Sequence, residues 1–305
     1  MNKYVTLIGL GAVGAPLANL LYHTYKNDFA LLSSEDFLPT LKNLYINGVA
    51  FEPNIYCRRE QLKKKIGIVF ICVKNYQIEA VSCLLKELID DETVIVPLQN
   101  GVYSFEFFLS KFPNNVILEG FAQGPNTIVT ENIYTYQKPG SFHIGSSTVA
   151  WKVSAKNAVD VMKEAKVDSY YEEDIQHQVW KKLMLNVAGN AITALTGIDY
   201  CLFAKSNDTQ ELCRNVMEEF SLVAGAVGIS ITNKDIDDII NYFLSFKVSK
   251  KTSMLEDVTH LRQTENDFIA GYISKLAQKN GIKVPHIDTL YYLMKIKENV
   301  YLKKI

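Results

Sequence analysis

Along the first half of the chain, short apolar runs alternate with stretches in which apolar residues recur at helical spacing. Residues 4–8 form an apolar run closed by Gly9, residues 12–25 read as a helix, and residues 29–32 read as a second strand. Residues 68–73 have the continuous apolar character of a buried strand, residues 76–89 follow with helical spacing, and residues 93–96 form a strand ended by Pro97. Such runs, separated by helices, predict a parallel sheet covered on both faces. Residues 116–118, 127–129 and 133–136 read as further strands. Lys138-Pro139-Gly140 is a turn signal with residues 142–144 extended beyond it, and residues 168–171 are the last strand-like run. From about Asp174 the pattern changes to long amphipathic segments at 175–196, 206–228, 233–246, 264–280 and 285–303. Asn280-Gly281 reads there as a helix stop and Pro285 as a start. The expectation is an α/β domain with a parallel sheet over residues 1–172, followed by an all-helical domain over residues 173–305.

Composition narrows the class. A chain of 305 residues with 48% hydrophobic and 21% charged residues has the balance of a globular protein of two ordinary domains. Its net charge of -1 carries no basic excess, so no nucleic-acid partner is expected, and Lys63-Lys64-Lys65 reads as a solvated loop or helix end. The five cysteines, Cys57, Cys72, Cys83, Cys201 and Cys213, are odd in number and have no CxxC spacing. This pattern fits free thiols in a reducing compartment, and neither a disulfide framework nor a metal site is expected. Met1-Asn2-Lys3 runs straight into a strand with no signal-peptide pattern, and no apolar stretch reaches the roughly 18 residues of a membrane span. The expected setting is the cytoplasm, with no membrane partner.

Leu7-Ile8-Gly9-Leu10-Gly11-Ala12-Val13-Gly14 is a G-x-G-x-x-G motif between a strand and a helix. Gly9 permits the tight turn, Gly11 lets backbone approach a pyrophosphate, and Gly14 lets the helix pack close to the strand. The phosphates would then sit on the exposed amides of the helix start. That context marks a Rossmann-type dinucleotide site over Gly9, Leu10, Gly11, Ala12, Val13 and Gly14. An NAD site usually carries an acid at the end of the second strand, where this chain has Ser33-Ser34, with Glu35 and Asp36 slightly later. A serine can donate to a 2′-phosphate that an acid would repel, which points to NADP(H) with Ser33 at the site.

In the helical half, Lys182, Asn186 and Asn190 stand at i, i+4 and i+8, forming one stripe beside the apolar residues Leu183 and Val187. Asparagine is a poor mid-helix residue, so two in line suggest a polar cleft; the alternative is an exposed polar face with the lysine reaching into water. Ser253 and the segment Thr264-Glu265-Asn266-Asp267 each admit a plain reading as well, the first as an N-cap and the second as a helix start with acids in its first turn.

Taken together, these pieces resemble the ketopantoate reductase (2-dehydropantoate 2-reductase) family. The matching elements are the N-terminal GLGAVG, Val73-Lys74, Gln99-Asn100-Gly101, Trp180-Lys181-Lys182-Leu183 with Asn186 and Asn190, Ser253-Met254-Leu255, and Thr264-Glu265. The resemblance implies NADPH-dependent reduction of ketopantoate or another small 2-keto acid. It also implies roles: Gly9, Gly11 and Gly14 on the pyrophosphate, Lys74 near the phosphates or ribose, Asn100 touching both cofactor and substrate at the nicotinamide end, and Lys182 as general acid. Asn186, Asn190 and Ser253 would hold substrate, and Glu265 would line the cleft near Lys182 and the nicotinamide ribose. The chain departs from the family pattern in lacking an arginine at the end of the second strand. Lys250 stands where a substrate-contacting asparagine can occur, Ala270 replaces the asparagine usual before Gly271, and no Asn-Gly follows Thr196-Gly197. Two other readings compete: an enzyme of the same architecture acting on a 3-hydroxy acid or an opine, and a non-catalytic dinucleotide sensor. A sensor would have no need of Lys182 and Glu265. The oligomeric state stays open, with a homodimer as one alternative.

Overall fold

The computed structural model describes residues 3–304, apart from the side chain of Asn126. The chain divides into two compact units, the first running to Gln176 and the second beginning at His177.

The first unit is built on β1 (Lys3–Ile8), α1 (Gly14–Tyr25), β2 (Phe29–Leu32), β3 (Tyr45–Ile46), β4 (Val49–Ala50), β5 (Asn54–Tyr56) and β6 (Lys65–Ile71). It continues with α2 (Ile78–Leu88), β7 (Val94–Pro97), α3 (Tyr103–Lys111), β8 (Val116–Ile117), β9 (Glu119–Gln123) and β10 (Asn126–Thr130). β11 (Ile133–Lys138), β12 (Ser141–Gly145), α4 (Lys152–Glu164) and β13 (Ser169–Glu172) complete it. Six strands form one sheet in the order β5-β2-β1-β6-β7-β8, every neighbouring pair parallel. This is the doubly wound arrangement expected from the apolar runs. The chain moves outward from β1 through β2 to β5, then returns to the other side of β1 at β6, so the order reverses between β1 and β6. Ligands of such sheets bind at the carboxyl ends of the strands flanking that reversal. Two apolar layers cover the sheet: α1 and α4 with Leu17, Leu21 and Met162 on one face, and α2 and α3 with Leu85, Leu88 and Phe108 on the other. The smaller sheets are β10-β11-β3-β4 and β13-β12-β9; both contain antiparallel pairs that the alternation in the sequence did not announce.

The second unit is helical: α5 (Ile175–Thr196), α6 (Tyr200–Phe203), α7 (Asn207–Ala226), α8 (Asn233–Leu244), α9 (Ser253–Thr259), α10 (Ala270–Lys279) and α11 (Pro285–Tyr301). Along α5 the buried residues Leu183, Met184, Val187, Ala188, Ala191 and Ile192 follow the helical repeat. Gly189 lets α8 approach, because a Cβ there would lie 2.9 Å from the Phe243 ring. Thr232 caps α8 through the amide of Asp235, whose carboxylate accepts from the Thr232 amide at 2.9 Å. The start of α11 is held by a buried carboxylate: Glu219 of α7 accepts from the His286 amide at 3.0 Å and the Ile287 amide at 2.9 Å. The periodic segment 264–280 is not one helix. Residues 266–268 form a single tight turn, Ile269 breaks the run at φ -108° and ψ -90°, and α10 begins only at Ala270. Thr264 is drawn away from a helix start by the buried Glu298, which accepts from both its amide and its hydroxyl.

Candidate active site

The loop between β1 and α1 lies at the reversal point of the large sheet. Gly9 has φ +97°, and a Cβ on it would come within 2.7 Å of the Val73 amide nitrogen. At Gly14 a Cβ would sit 1.9 Å from the Gly9 carbonyl oxygen and 2.9 Å from Cys72 Cβ, so α1 can start against the sheet only with glycine there. Gly11 differs, since a Cβ on it would meet nothing within 4 Å. None of the described residues demands glycine at that position, as expected if a ligand passes against its backbone. No side chain caps the start of α1 and no acid stands in its first turn, so Val13 and Gly14 open a helix end free of competing negative charge. Thr127 of β10 pins the loop by donating to the Ala12 carbonyl at 2.7 Å. Leu10 packs against the adjoining core.

Two polar segments flank this loop. Beyond β6, the backbone amide of Lys74 donates to Gln77 Oε1 at 3.1 Å, opening a single turn ahead of α2. Beyond β7, the buried Gln99 donates through Nε2 to the carbonyls of Ile71 at 3.0 Å and Val73 at 3.1 Å, and Asn75 Nδ2 donates to the Asn100 carbonyl at 3.0 Å. These bonds fasten the segments carrying Lys74 and Asn100 to each other at the strand ends. Gln99 stands in the Gln99-Asn100-Gly101 element but was given no role from the sequence, and Asn75, next to Lys74, drew no notice there, because a fastening role has no spacing signature.

At the end of β2, Ser33 is buried and its hydroxyl donates to the Ser34 carbonyl at 3.2 Å. Its amide donates to the Tyr56 carbonyl of β5 at 3.1 Å, continuing the β2–β5 pairing one step past the strand. That pairing brings Arg58 to the end of β2, where its Nε lies 2.6 Å from Glu35 Oε1.

In the second unit, the exposed-face alternative for the α5 stripe is overturned. Asn186 and Asn190 are buried, Asn190 to 2%, and its Nδ2 has no hydrogen-bond partner among the described residues. Lys182 is half-buried. Desolvation pulls its ammonium down from the ordinary lysine range to about 8, and the nearby negative charge of Glu265 resists that fall. Lys181, one residue and about 100° away on the helix, leaves the stripe for Asp235 at 3.0 Å and Asp238 at 2.8 Å. It therefore ends in a pair of carboxylates. Glu265 is 5% exposed and makes no side-chain cap to the turn after it, while Asp267 is engaged by Lys295 at 2.9 Å and Tyr291 at 2.8 Å. Of the acids in this segment, Glu265 is the one set toward Lys182. Ser253 is not the cap of α9. Thr252 takes that role, accepting from the Leu255 amide at 3.1 Å and bonding Thr193 of α5 at 2.8 Å, which leaves Ser253 exposed at the first position of the helix. Lys250 lies with its ammonium 5.5 Å from the Phe246 ring centroid, and Ala270 is buried.

Both halves of the chain match family models: residues 5–148 match ketopantoate reductase PanE/ApbA, and residues 174–298 match its C-terminal model. The chain belongs to the ketopantoate reductase family. It is an oxidoreductase of that pyridine-nucleotide-dependent family. Curated relatives include the 2-dehydropantoate 2-reductases of Yersinia pestis, 25% identical with 97% of this chain and 96% of the relative covered, and of Vibrio cholerae, 26% identical with 98% and 99% covered. Among solved structures, the 2-dehydropantoate 2-reductase from Methylococcus capsulatus superposes with a TM-score of 0.83 at 23% identity, covering 97% of each chain. A D-mandelate dehydrogenase bound to NADH and anilino(oxo)acetate superposes with a TM-score of 0.85 at 21% identity, covering 98% of this chain and all of that one. No helix among the described residues is long and apolar enough to cross a membrane.

Proposed function

We propose that this chain reduces a small 2-keto acid to the 2-hydroxy acid with NADPH, with 2-dehydropantoate as the leading substrate and pantoate, a precursor of coenzyme A, as the product. The observation that carries the reading is the Lys182 ammonium, drawn down to about 8 and influenced by Glu265, in line with two buried asparagines of which Asn190 has an unsatisfied donor. When bound, the nicotinamide supplies a hydride to the ketone carbon. Charge then develops on the ketone oxygen; Lys182 stabilises it and transfers a proton to it, leaving the alcohol. Glu265 keeps Lys182 protonated near neutrality by opposing the desolvation. Asn186, Asn190 and Ser253 donate to the substrate's carboxylate and hydroxyl groups. On the cofactor side, the amides of Gly9, Leu10, Gly11, Ala12, Val13 and Gly14 take the pyrophosphate, Ser33 lies toward the adenosine ribose, Lys74 serves the phosphates or ribose, and Asn100 serves the nicotinamide end.

A second reading keeps the reaction and changes the substrate. Lys250 and the buried Ala270 alter two positions where asparagine can occur in the family pattern, which favours a 2-keto acid with a different side chain. NADPH oxidation followed across a panel of 2-keto acids that includes ketopantoate tests both readings; turnover of none of them ends both. The free cysteines suit a reducing compartment such as the cytoplasm. A homodimer is the assembly proposed, as a structural neighbour from Staphylococcus aureus is described as dimeric, and light scattering on the purified protein tests it.

A further inference from the structure

A cofactor-selecting cation is missing from the end of β2, where the chain runs Ser33-Ser34-Glu35-Asp36. The neighbouring strand supplies one. β5 pairs in parallel with β2, Leu32 lying opposite Tyr56, and the Ser33 amide extends the pairing to the Tyr56 carbonyl. Two residues later the chain reaches Arg58, whose backbone is fixed: Gln61 Oε1 accepts from the Cys57 amide at 2.7 Å and the Arg58 amide at 3.0 Å. Its side chain folds back over the end of β2 to Glu35, although the two residues are 23 positions apart in sequence.

The pair has a particular chemistry. Glu35 is bound through Nε alone, and among the described residues the two terminal nitrogens of the Arg58 guanidinium bond to nothing. Both side chains are largely open to solvent, Arg58 at 63% and Glu35 at 54%. An acid at this place ordinarily accepts from the ribose hydroxyls of NAD and repels a 2′-phosphate. Here the cation offsets the acid and holds its own bidentate edge free, which is the geometry that suits a phosphate dianion. Ser33, by contrast, is buried with its hydroxyl turned to the Ser34 carbonyl.

We propose that Arg58, contributed by β5 and steadied by Glu35, is the residue that selects the 2′-phosphate of NADPH in this chain. This inference rests on the NADP reading given above. The test is direct titration of NADPH, NADH and adenosine 2′,5′-bisphosphate into the full chain and into Arg58→Ala and Glu35→Gln. Arg58→Ala is expected to weaken NADPH and the bisphosphate by about ten- to a hundredfold, the effect of losing a charge-assisted phosphate contact. NADH binding and the melting temperature should stay as they were. Glu35→Gln is expected to keep or tighten NADPH binding, since it releases Arg58. If the unaltered chain prefers NADPH and Arg58→Ala keeps that preference, the NADP reading stands and the role of Arg58 is overturned. An equal loss for both dinucleotides would make Arg58 a merely structural residue and would also overturn it. If the unaltered chain prefers NADH and Glu35→Gln weakens it, the NADP reading itself falls, and Glu35 is the ribose ligand.

Discussion

The glycine loop of the first unit and the α5 stripe of the second solve opposite problems. The loop works by leaving things out: no Cβ at Gly9 or Gly14, where one would strike backbone, none at Gly11, where it would meet none of the described residues within 4 Å, and no acid in the first turn of α1. In the proposed function its binding would rest on main-chain amides, which do not titrate. The stripe works by putting costly groups in: a lysine and two asparagines carried into apolar surroundings, with the buried Glu265 acting on the lysine. There burial is what sets the chemistry, because desolvation draws the Lys182 ammonium down to about 8, the acidity that the proposed proton transfer needs. The first kind of site should tolerate pH and fail by steric change; the second should tolerate small steric change and fail when a charge is altered.

The strongest test removes the charge. Lys182→Ala should lower kcat by about a hundredfold or more, through loss of both the proton donor and the electrostatic stabilisation, with NADPH affinity unchanged. Lys181→Ala, which only releases Asp235 and Asp238, should leave kcat near normal. Steady-state kinetics beside cofactor titrations decide the matter, and a large loss confined to Lys181→Ala would reverse the assignment. Next in size is Ser253→Ala, expected to raise KM by about ten- to a hundredfold without moving the melting temperature. Because the cap of α9 is Thr252, Thr252→Ala should do the reverse, losing about 1 kcal/mol of stability; thermal melts and kinetics on the same preparations separate the two.

On the other side of the comparison, Gly11→Ala should weaken NADPH by about tenfold while the melting temperature holds, since the new methyl meets only the ligand. Gly14→Ala should lower the melting temperature as well, because its methyl strikes the Gly9 carbonyl. The smallest effect is a shift in pH profile. Lys182 acts in its protonated form, so kcat/KM for reduction should fall as pH rises through about 8. Glu265 raises the Lys182 pKa, so Glu265→Gln should move that break to lower pH; a profile flat across this range would remove Lys182 from the proton transfer.

What the sequence made legible follows from how local each signal is. β2 and α5 match their predicted bounds, and β1, β6 and α11 fall close to theirs, because continuous apolar runs and long helical repeats declare themselves in a few turns of chain. β3 and β4 are two residues each and too short to show a period, and α9, at seven residues, falls short of two full turns. β9 was hidden by Glu119 and Gly120 at its start, although the strand is buried and Glu119 accepts from the Ser147 amide. At the candidate site, the alignment of Lys182, Asn186 and Asn190 on one face could be read from spacing, since neighbours on a helix are neighbours in sequence, but whether that face was buried or exposed could not. Arg58 could not, because its place beside Glu35 depends on β5 pairing with β2, a contact that no linear pattern reports.

A lysine with a pKa near 8 is a nucleophile as well as an acid. With its pKa drawn down to about 8, Lys182 holds far more neutral amine near pH 7 than an ordinary lysine side chain does. Among the lysines of this chain it should be the first to form an imine with a small aldehyde or to take an acyl group from an activated ester. A substrate seated in the site would shield it, so covalent labelling at one position becomes a way of recognising which 2-keto acids the protein accepts before any turnover is measured.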